Sequence, residues 1–560
     1  MPEGSQDANS SVSSSEYKDV LRRLPTEVDE QPSNLHQMVS RVMTRKEEEE
    51  LNKVLTGTEV FTTPMPPMGP NNKPIPMAPM NPEGFRVEFT GPHDPEIALN
   101  WTPNRKLLSC FALTFATLMV SWGSAIYGAA IPKIRQEFHI GISPAALGVS
   151  FYVLGFAVGP ILWGPMSEQF GRRNPLILGI FLFICFTFAT ATAKDVQTLM
   201  IGRFFSGAVG ASTLSIVPAI FADMFPSSTR GTAVSLFVLA INGGPMISPI
   251  AGAYIVSAGL SWRWTLYTTG MGTGAAMVLF CYLYEETYQP VILAARASEL
   301  RKRTNNWAIY ASHDHLELNL KQIVSNSLVR PIKMLVSEPI LLLLSLYNGY
   351  IYALLYMCLE AIPIVFEGYE FKGGNIMLPY ASVFVGACLG VMASIYIFEP
   401  MFRKRTDHLP EGTVLPEARL PMMMTGSITM TISIFWAFWT GAYPKTSDHP
   451  NGIHWISPVL ALGLFGYGFV ALFLPITNYI LDCYLFLAAS AVAGNSFLRA
   501  AMAAAFPLFT VQMFHNLGIQ WAGTLIGCLS LVLTPVPFLF YKYGHILRRS
   551  SPFASMLLEH

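Results

Sequence analysis

From about residue 107 to 541 the chain alternates long apolar runs with short polar connections. About twelve runs approach the ~20 mainly apolar residues that a helix needs to cross a bilayer. They lie near 107–131, 144–163, 175–193, 197–221, 232–257, 263–284, 339–366, 376–398, 421–441, 455–477, 485–512 and 519–541. This pattern predicts an all-α membrane protein with twelve transmembrane helices. The long connection from about 286 to 337 divides the runs into two groups of six. Parallel echoes between the groups fit a repeated six-helix unit: Ala130-Ile131-Pro132 and Ala361-Ile362-Pro363, and prolines in the fifth and eleventh runs.

Composition agrees with the pattern. The chain is 52% hydrophobic and 13% charged, against about 25% charged in ordinary globular proteins, and its mean hydropathy is +0.40. The formal net charge is zero, so no bulk attraction to nucleic acid is expected. The seven cysteines fall in or beside apolar runs. With no C-x-x-C pair or His/Cys cluster, they read as small buried hydrophobes, and neither a metal site nor a cofactor is implied.

Loop cations fix an orientation. Arg105 and Lys106 precede the first run, Arg172 and Arg173 follow the second, and Arg230 follows the fourth. Arg296, Arg301, Lys302, Arg303, Lys321, Arg330 and Lys333 follow the sixth. Arg403, Lys404 and Arg405 follow the eighth, and Lys542, Arg548 and Arg549 follow the twelfth. With twelve spans every cluster falls on one side, and the positive-inside rule puts both termini in the cytoplasm. The expected organisation is a disordered Ser-, Pro- and Met-rich tail over 1–100, a first half over 101–285, a linker over 286–337, a second half over 338–545 and a short tail over 546–560. The tail holds one candidate short helix, 39–55. No apolar signal-peptide core precedes the first run, which can act as the insertion signal.

The connection Gly164-Pro-Met-Ser-Glu-Gln-Phe-Gly-Arg-Arg173 reads as a short cation-rich turn between two spanning helices. The order Gly-x-Met-Ser-Glu-x-x-Gly-Arg-Arg resembles the loop between helices 2 and 3 of the major facilitator superfamily. Further stretches are similar to the fungal twelve-span drug:proton antiporter family, in its polyamine and fluconazole-resistance multidrug branch: WRW at 262–264, EET at 285–287, NNW at 305–307, PEARLP at 416–421, NYILDCY at 478–484, LAASAVAGN at 487–495 and FPLF at 506–509. The resemblance runs from about residue 100 to 549. It implies a major facilitator fold and inward proton flow driving outward movement of a polyamine, drug or toxic metabolite. The branch also holds fluconazole, mycophenolate and secondary-metabolite exporters, so a narrow toxin exporter is an alternative. The plasma membrane is the expected address, with the vacuolar membrane an alternative.

The resemblance also assigns roles. Glu168, Arg172 and Asp223 become a charge cluster latching the two halves; a solvated loop that only sets topology is the alternative. Arg203 lies about six residues into the fourth run, roughly 9 Å along the axis. A guanidinium at that depth should face the bundle interior, or else snorkel to an interface. In proton-coupled members of the superfamily this arginine takes part in proton transfer. It cannot lose its own proton, but it can favour release from a neighbouring carboxylate. Ile241–Tyr254, with Gly244, Pro245, Pro249 and Gly252, looks like the antiporter signature of the fifth helix, with ordinary kinked-helix packing as the alternative.

Arg499, near the middle of the eleventh run, suits a cavity or interhelix role. Glu360, among apolar neighbours in the seventh, suits a reversible proton carrier or a cation-binding group, unless it lies at the interface. Tyr347, Tyr350, Tyr352, Tyr356, Trp436 and Trp439 offer aromatic faces to an organic cation, although packing and interface belts use such residues too. A G-x-x-x-x-G-K-[ST] loop is missing, which argues against ATP-driven pumping. The rivals are a membrane-bound enzyme, with His313, Asp314 and His315 as its compact candidate, and a non-transporting sensor. The expectation is a transporter and not an enzyme.

Overall fold

The computed structural model describes residues 85–304, 306–307, 309–315, 329–406, 416–445, 451–484 and 487–549. Most of the expected N-terminal tail, its candidate helix 39–55, the end of the C-terminal tail and the side chain of His315 lie outside these residues. The described residues divide into two units. In the smaller, Val87 N–H donates to the Tyr310 carbonyl at 2.9 Å and Arg301 Nη1 to the Ile309 carbonyl at 3.1 Å. All the spanning helices belong to the larger.

Twelve helices of the described residues are long and apolar enough to cross a membrane. The first six have cores at α1 (Pro103–Ala125), α2 (Ile142–Gln169), α3 (Arg173–Ala191), α4 (Val196–Met224), α5 (Ser227–Ser257) and α6 (Arg263–Leu283). The second six are α7 (Pro339–Glu367), α8 (Tyr380–Ala393, continued by a π turn and Glu399–Thr406), α9 (Leu420–Gly441), α10 (Ile456–Cys483), α11 (Ala488–Leu517) and α12 (Ile519–Leu533). In lipid every backbone polar group must be satisfied within the chain, so an apolar run of this length folds as a helix.

The ends differ from the hydropathy bounds. α2 continues through Gly164–Gln169, so the expected ten-residue turn shrinks to Phe170–Arg172, where Gly171 adopts φ +83°. α4 and α10 likewise run on to include Asp223 and Asp482. Helical hydrogen bonding does not stop where hydrophobicity does, because polar residues extend the helix into the interface.

The two halves share a packing device. In the first, α2 meets α4 so closely that a Cβ on Gly207 would lie 2.0 Å from the Tyr152 carbonyl oxygen. In the second, α8 meets α10 so that a Cβ on Gly466 would lie 1.9 Å from the Val383 carbonyl oxygen. Small residues substitute for the missing hydrophobic drive between helices in lipid by letting backbones touch.

Candidate functional site

At the cation-rich end of the first half, Arg172 is the hub. Its Nε donates to Asp223 Oδ2 at 3.1 Å, its Nη1 donates to Ser167 Oγ at 2.9 Å, and the guanidinium lies 4.4 Å from the Tyr288 ring centroid. Burial raises the pKa of the Tyr288 phenol, and the Arg172 charge opposes that rise. Glu286 was not singled out as a site residue. It accepts from the backbone N–H groups of Arg172, Arg173, Thr287 and Tyr288 at 2.9–3.0 Å. Its carboxylate fills the space left by Gly171, where a Cβ would lie 2.3 Å from Oε2.

Two expectations about the latch change. Glu168 is exposed and makes no ion pair among the described residues; its backbone carbonyl meets His313 Nε2 at 3.4 Å. The groups around Arg172 all belong to the first half or the segment just after α6. The cluster therefore ties the 170–172 turn to α4 and to residues 286–288, and not one half to the other. The cause is the continuation of α2, which turns Glu168 outward.

The second half repeats the arrangement with other residues. Arg419, preceding α9, pairs with Asp482 at the end of α10 and lies 3.7 Å from Glu399. Arg548 pairs with Glu417 at 2.8 Å. The only sequence signal for this set lay in PEARLP and NYILDCY, which carry Arg419 and Asp482. Glu399 also reaches the first half: a Cβ on Gly231 of α5 would lie 2.5 Å from its Oε1.

Deeper in the bundle, Arg203 is 1% exposed. Its Nε donates to the Gly148 carbonyl at 2.9 Å, Nη1 to Gly123 at 2.7 Å and Nη2 to Ser124 at 3.0 Å. Gly123 and Ser124 lie in the last turn of α1, where carbonyls have no intrahelical partner, and a cation there suits the helix dipole. The rings of Tyr127 and Tyr152 stand 4.8 and 4.3 Å from the guanidinium. Arg203 thus faces the interior as expected. Its partners are carbonyls and rings, with no carboxylate among the described residues, so the expected effect on a neighbouring acid has no acid to act on. Tyr152, Thr187, Ser206 and Thr269 pack around it and leave no room for a water molecule.

The prolines of α5 stay inside one continuous helix. Pro245 has no N–H to offer the carbonyl four residues back, Ile241, and the Ser121 hydroxyl of α1 donates to that carbonyl instead. Gly244 brings the helices together there: its Cβ would lie 2.6 Å from Trp122 N, and one on Gly252 would lie 2.8 Å from the Ile126 carbonyl. The motif builds an α1–α5 seam.

Arg499 meets Tyr352 of α7, while Tyr350 turns to α12, its hydroxyl donating to the Ile526 carbonyl at 2.9 Å. The Arg499 guanidinium lies 4.9 Å from the Tyr352 ring and 5.0 Å from the Phe473 ring. Tyr356 Oη donates to Ser124 Oγ at 2.9 Å, joining α7 to α1. Glu360, one turn further on, has Oε1 buried without a hydrogen-bond partner, as does the Tyr380 hydroxyl of α8. Trp436 and Trp439 do not join this group: both are exposed on the bundle surface, donating to Ser457 and Thr524. At the end of the bundle opposite the cations, Tyr254 Oη donates to Asn375 Oδ1 and Gln512 Nε2 to Ser143 Oγ, each at 2.8 Å, again between the halves.

The model of the Major Facilitator Superfamily matches residues 113–507. The chain belongs to that superfamily. It is 47% identical over 496 residues to the major facilitator superfamily multidrug transporter FLU1 of Candida albicans, covering 88% of this chain and 80% of that protein. It is 42% identical to the multidrug transporter TPO1_1 of Candida glabrata, covering 90% and 88%. It is 38% identical to the citrinin biosynthesis cluster transporter mrr1 of Monascus ruber, covering 84% and 92%. Among solved structures, the proton:xylose symporter XylE superposes with a TM-score of 0.55 at 16% identity over 79% of this chain and 96% of that one. That likeness concerns the fold alone. The chain is a multi-pass membrane protein of two six-helix halves.

Proposed function

We propose that this chain is a proton-driven exporter of drugs, polyamines or toxic metabolites in the plasma membrane, with both termini in the cytoplasm, acting as a transporter and not as an enzyme. The observation that carries the reading is the polar seam between the halves. Tyr356–Ser124 joins them inside the bundle, and Tyr254–Asn375 and Gln512–Ser143 join them at one end. Single hydrogen bonds of this kind are each worth only about 0.5–1.5 kcal/mol, so they can break and reform as the halves rock about a central site. The names of the three fungal relatives, two multidrug transporters and a citrinin cluster transporter, support drugs and toxic metabolites as the cargo class. Glu360 is the candidate proton carrier, because its buried Oε1 has no donor to hold it ionised. Arg172, Asp223 and Glu286 keep the first half rigid while it moves.

The test uses the full-length protein in proteoliposomes with an imposed pH gradient, offering citrinin and a panel of hydrophobic drugs. Uptake should follow the gradient and collapse with a protonophore, and Glu360→Gln should abolish the gradient dependence. Movement that ignores the gradient would defeat proton coupling.

A further inference from the structure

Arg499 occupies an unusual position in this bundle. It lies well inside α11 and is 9% exposed. Its Nε is buried with no partner, and no acceptor or carboxylate among the described residues meets the guanidinium. Its near neighbours are two ring faces, Tyr352 and Phe473. Arg203, also buried within a spanning helix, is engaged by three carbonyls.

We infer that Arg499, walled by Tyr352, Tyr356 and Phe473, is a binding subsite for an organic anion: a carboxylate carried on an aromatic or apolar body. An unpaired buried charge is costly unless a partner of opposite sign arrives, and a guanidinium matches a carboxylate through two parallel hydrogen bonds. The rings accommodate the apolar body next to that pair. The local charge balance points the same way. Arg203 and Arg499 both lie within electrostatic range of Tyr356, so two positive charges flank this junction. At this subsite a polycation would meet repulsion from both guanidiniums, so a polyamine cargo would be held elsewhere in the junction, whereas an anion would meet attraction from both.

This inference rests on the reading above that cargo crosses at the junction of the halves. Its test is equilibrium binding to the purified full-length protein without any gradient, using three probes of one shape: 1-naphthoate, neutral 1-naphthamide and cationic 1-naphthylmethylammonium. The wild type should prefer the carboxylate over the amide by about tenfold or more, the scale of one charge-assisted pair. Arg499→Gln should bring the two within about twofold, since the amide and the acid then meet a neutral group. If Arg499→Gln does not survive purification, Arg499→Lys decides: a carboxylate-to-amide ratio lowered about threefold supports the subsite, because the two-pronged contact is lost, and an unchanged ratio overturns it. Equal binding of the three probes, preference for the cation, or a carboxylate preference that persists in Arg499→Gln would also overturn it. Gradient-driven uptake of neutral drugs without any carboxylate preference would remove the subsite and leave the exporter standing. Carboxylate preference without gradient-driven movement would do the reverse.

Discussion

Replacing Glu286 with Ala should loosen the turn that joins α2 to α3. Three backbone N–H groups converge on Oε1, from Arg172, Thr287 and Tyr288, and one from Arg173 reaches Oε2, all at 2.9–3.0 Å. Bonds to a charged acceptor contribute about 1.5–3 kcal/mol each when well buried. Glu286 is only half-buried, so water recovers part of each bond, and the expected loss is about 3–5 kcal/mol rather than the full sum. Glu286→Gln keeps one acceptor oxygen but sets an amide N–H against the Arg173 N–H, at a cost of about 1–2 kcal/mol. The void left by the side chain adds to the Ala effect, because Gly171 contributes no Cβ to fill it.

Two readouts follow in detergent-solubilised protein. Thermal unfolding followed by tryptophan fluorescence should fall by several degrees for the Ala variant, at about 2–4 °C per kcal/mol or less for a chain this large, with Gln between Ala and wild type. Limited trypsin digestion should cut after Arg172 or Arg173 faster in the Ala variant than in wild type, since the turn is no longer pinned. An Ala variant that unfolds within about 1 °C of wild type and resists trypsin equally would refute the pinning role of Glu286.

Asp223→Asn should lower transport about tenfold while leaving insertion intact, because it strands the mostly buried Arg172 charge, a defect of about 2–4 kcal/mol; wild-type rates from the tagged, membrane-resident variant would contradict this. Gly466→Val should sharply reduce the yield of folded protein, since its Cβ would sit 1.9 Å from the Val383 carbonyl oxygen, whereas Gly463→Ala, whose Cβ would meet Ser382 O at an ordinary 3.5 Å, should be tolerated. Size-exclusion profiles of the two variants check both halves of that statement.

Much of the architecture is written in the order of the residues. The twelve apolar runs fix twelve helices because lipid leaves the backbone no other way to satisfy itself. Gly171, Arg172 and Arg173 mark the turn after α2, and the position of Arg203 inside an apolar run favours the interior. These conclusions need only hydrophobicity, charge and chain continuity, which are local properties.

What only the tertiary structure decides is which groups meet. The family resemblance groups Glu168 with Arg172, but the continuation of α2 leaves Glu168 exposed, and Glu286, 114 residues beyond Arg172, takes the backbone N–H groups instead. Ser121 answers the carbonyl that Pro245 frees, and the open carbonyls at the end of α1 capture Arg203, contacts between helices far apart in the chain. Trp436 and Trp439 are aromatic like the buried tyrosines of α7 but are exposed on the surface of α9. Arg499 is left without a partner by the same accounting. Hydropathy places a charged residue at a depth; the partner that satisfies it depends on the rotation of each helix and on its neighbours across the bundle, and neither is a property of any one segment.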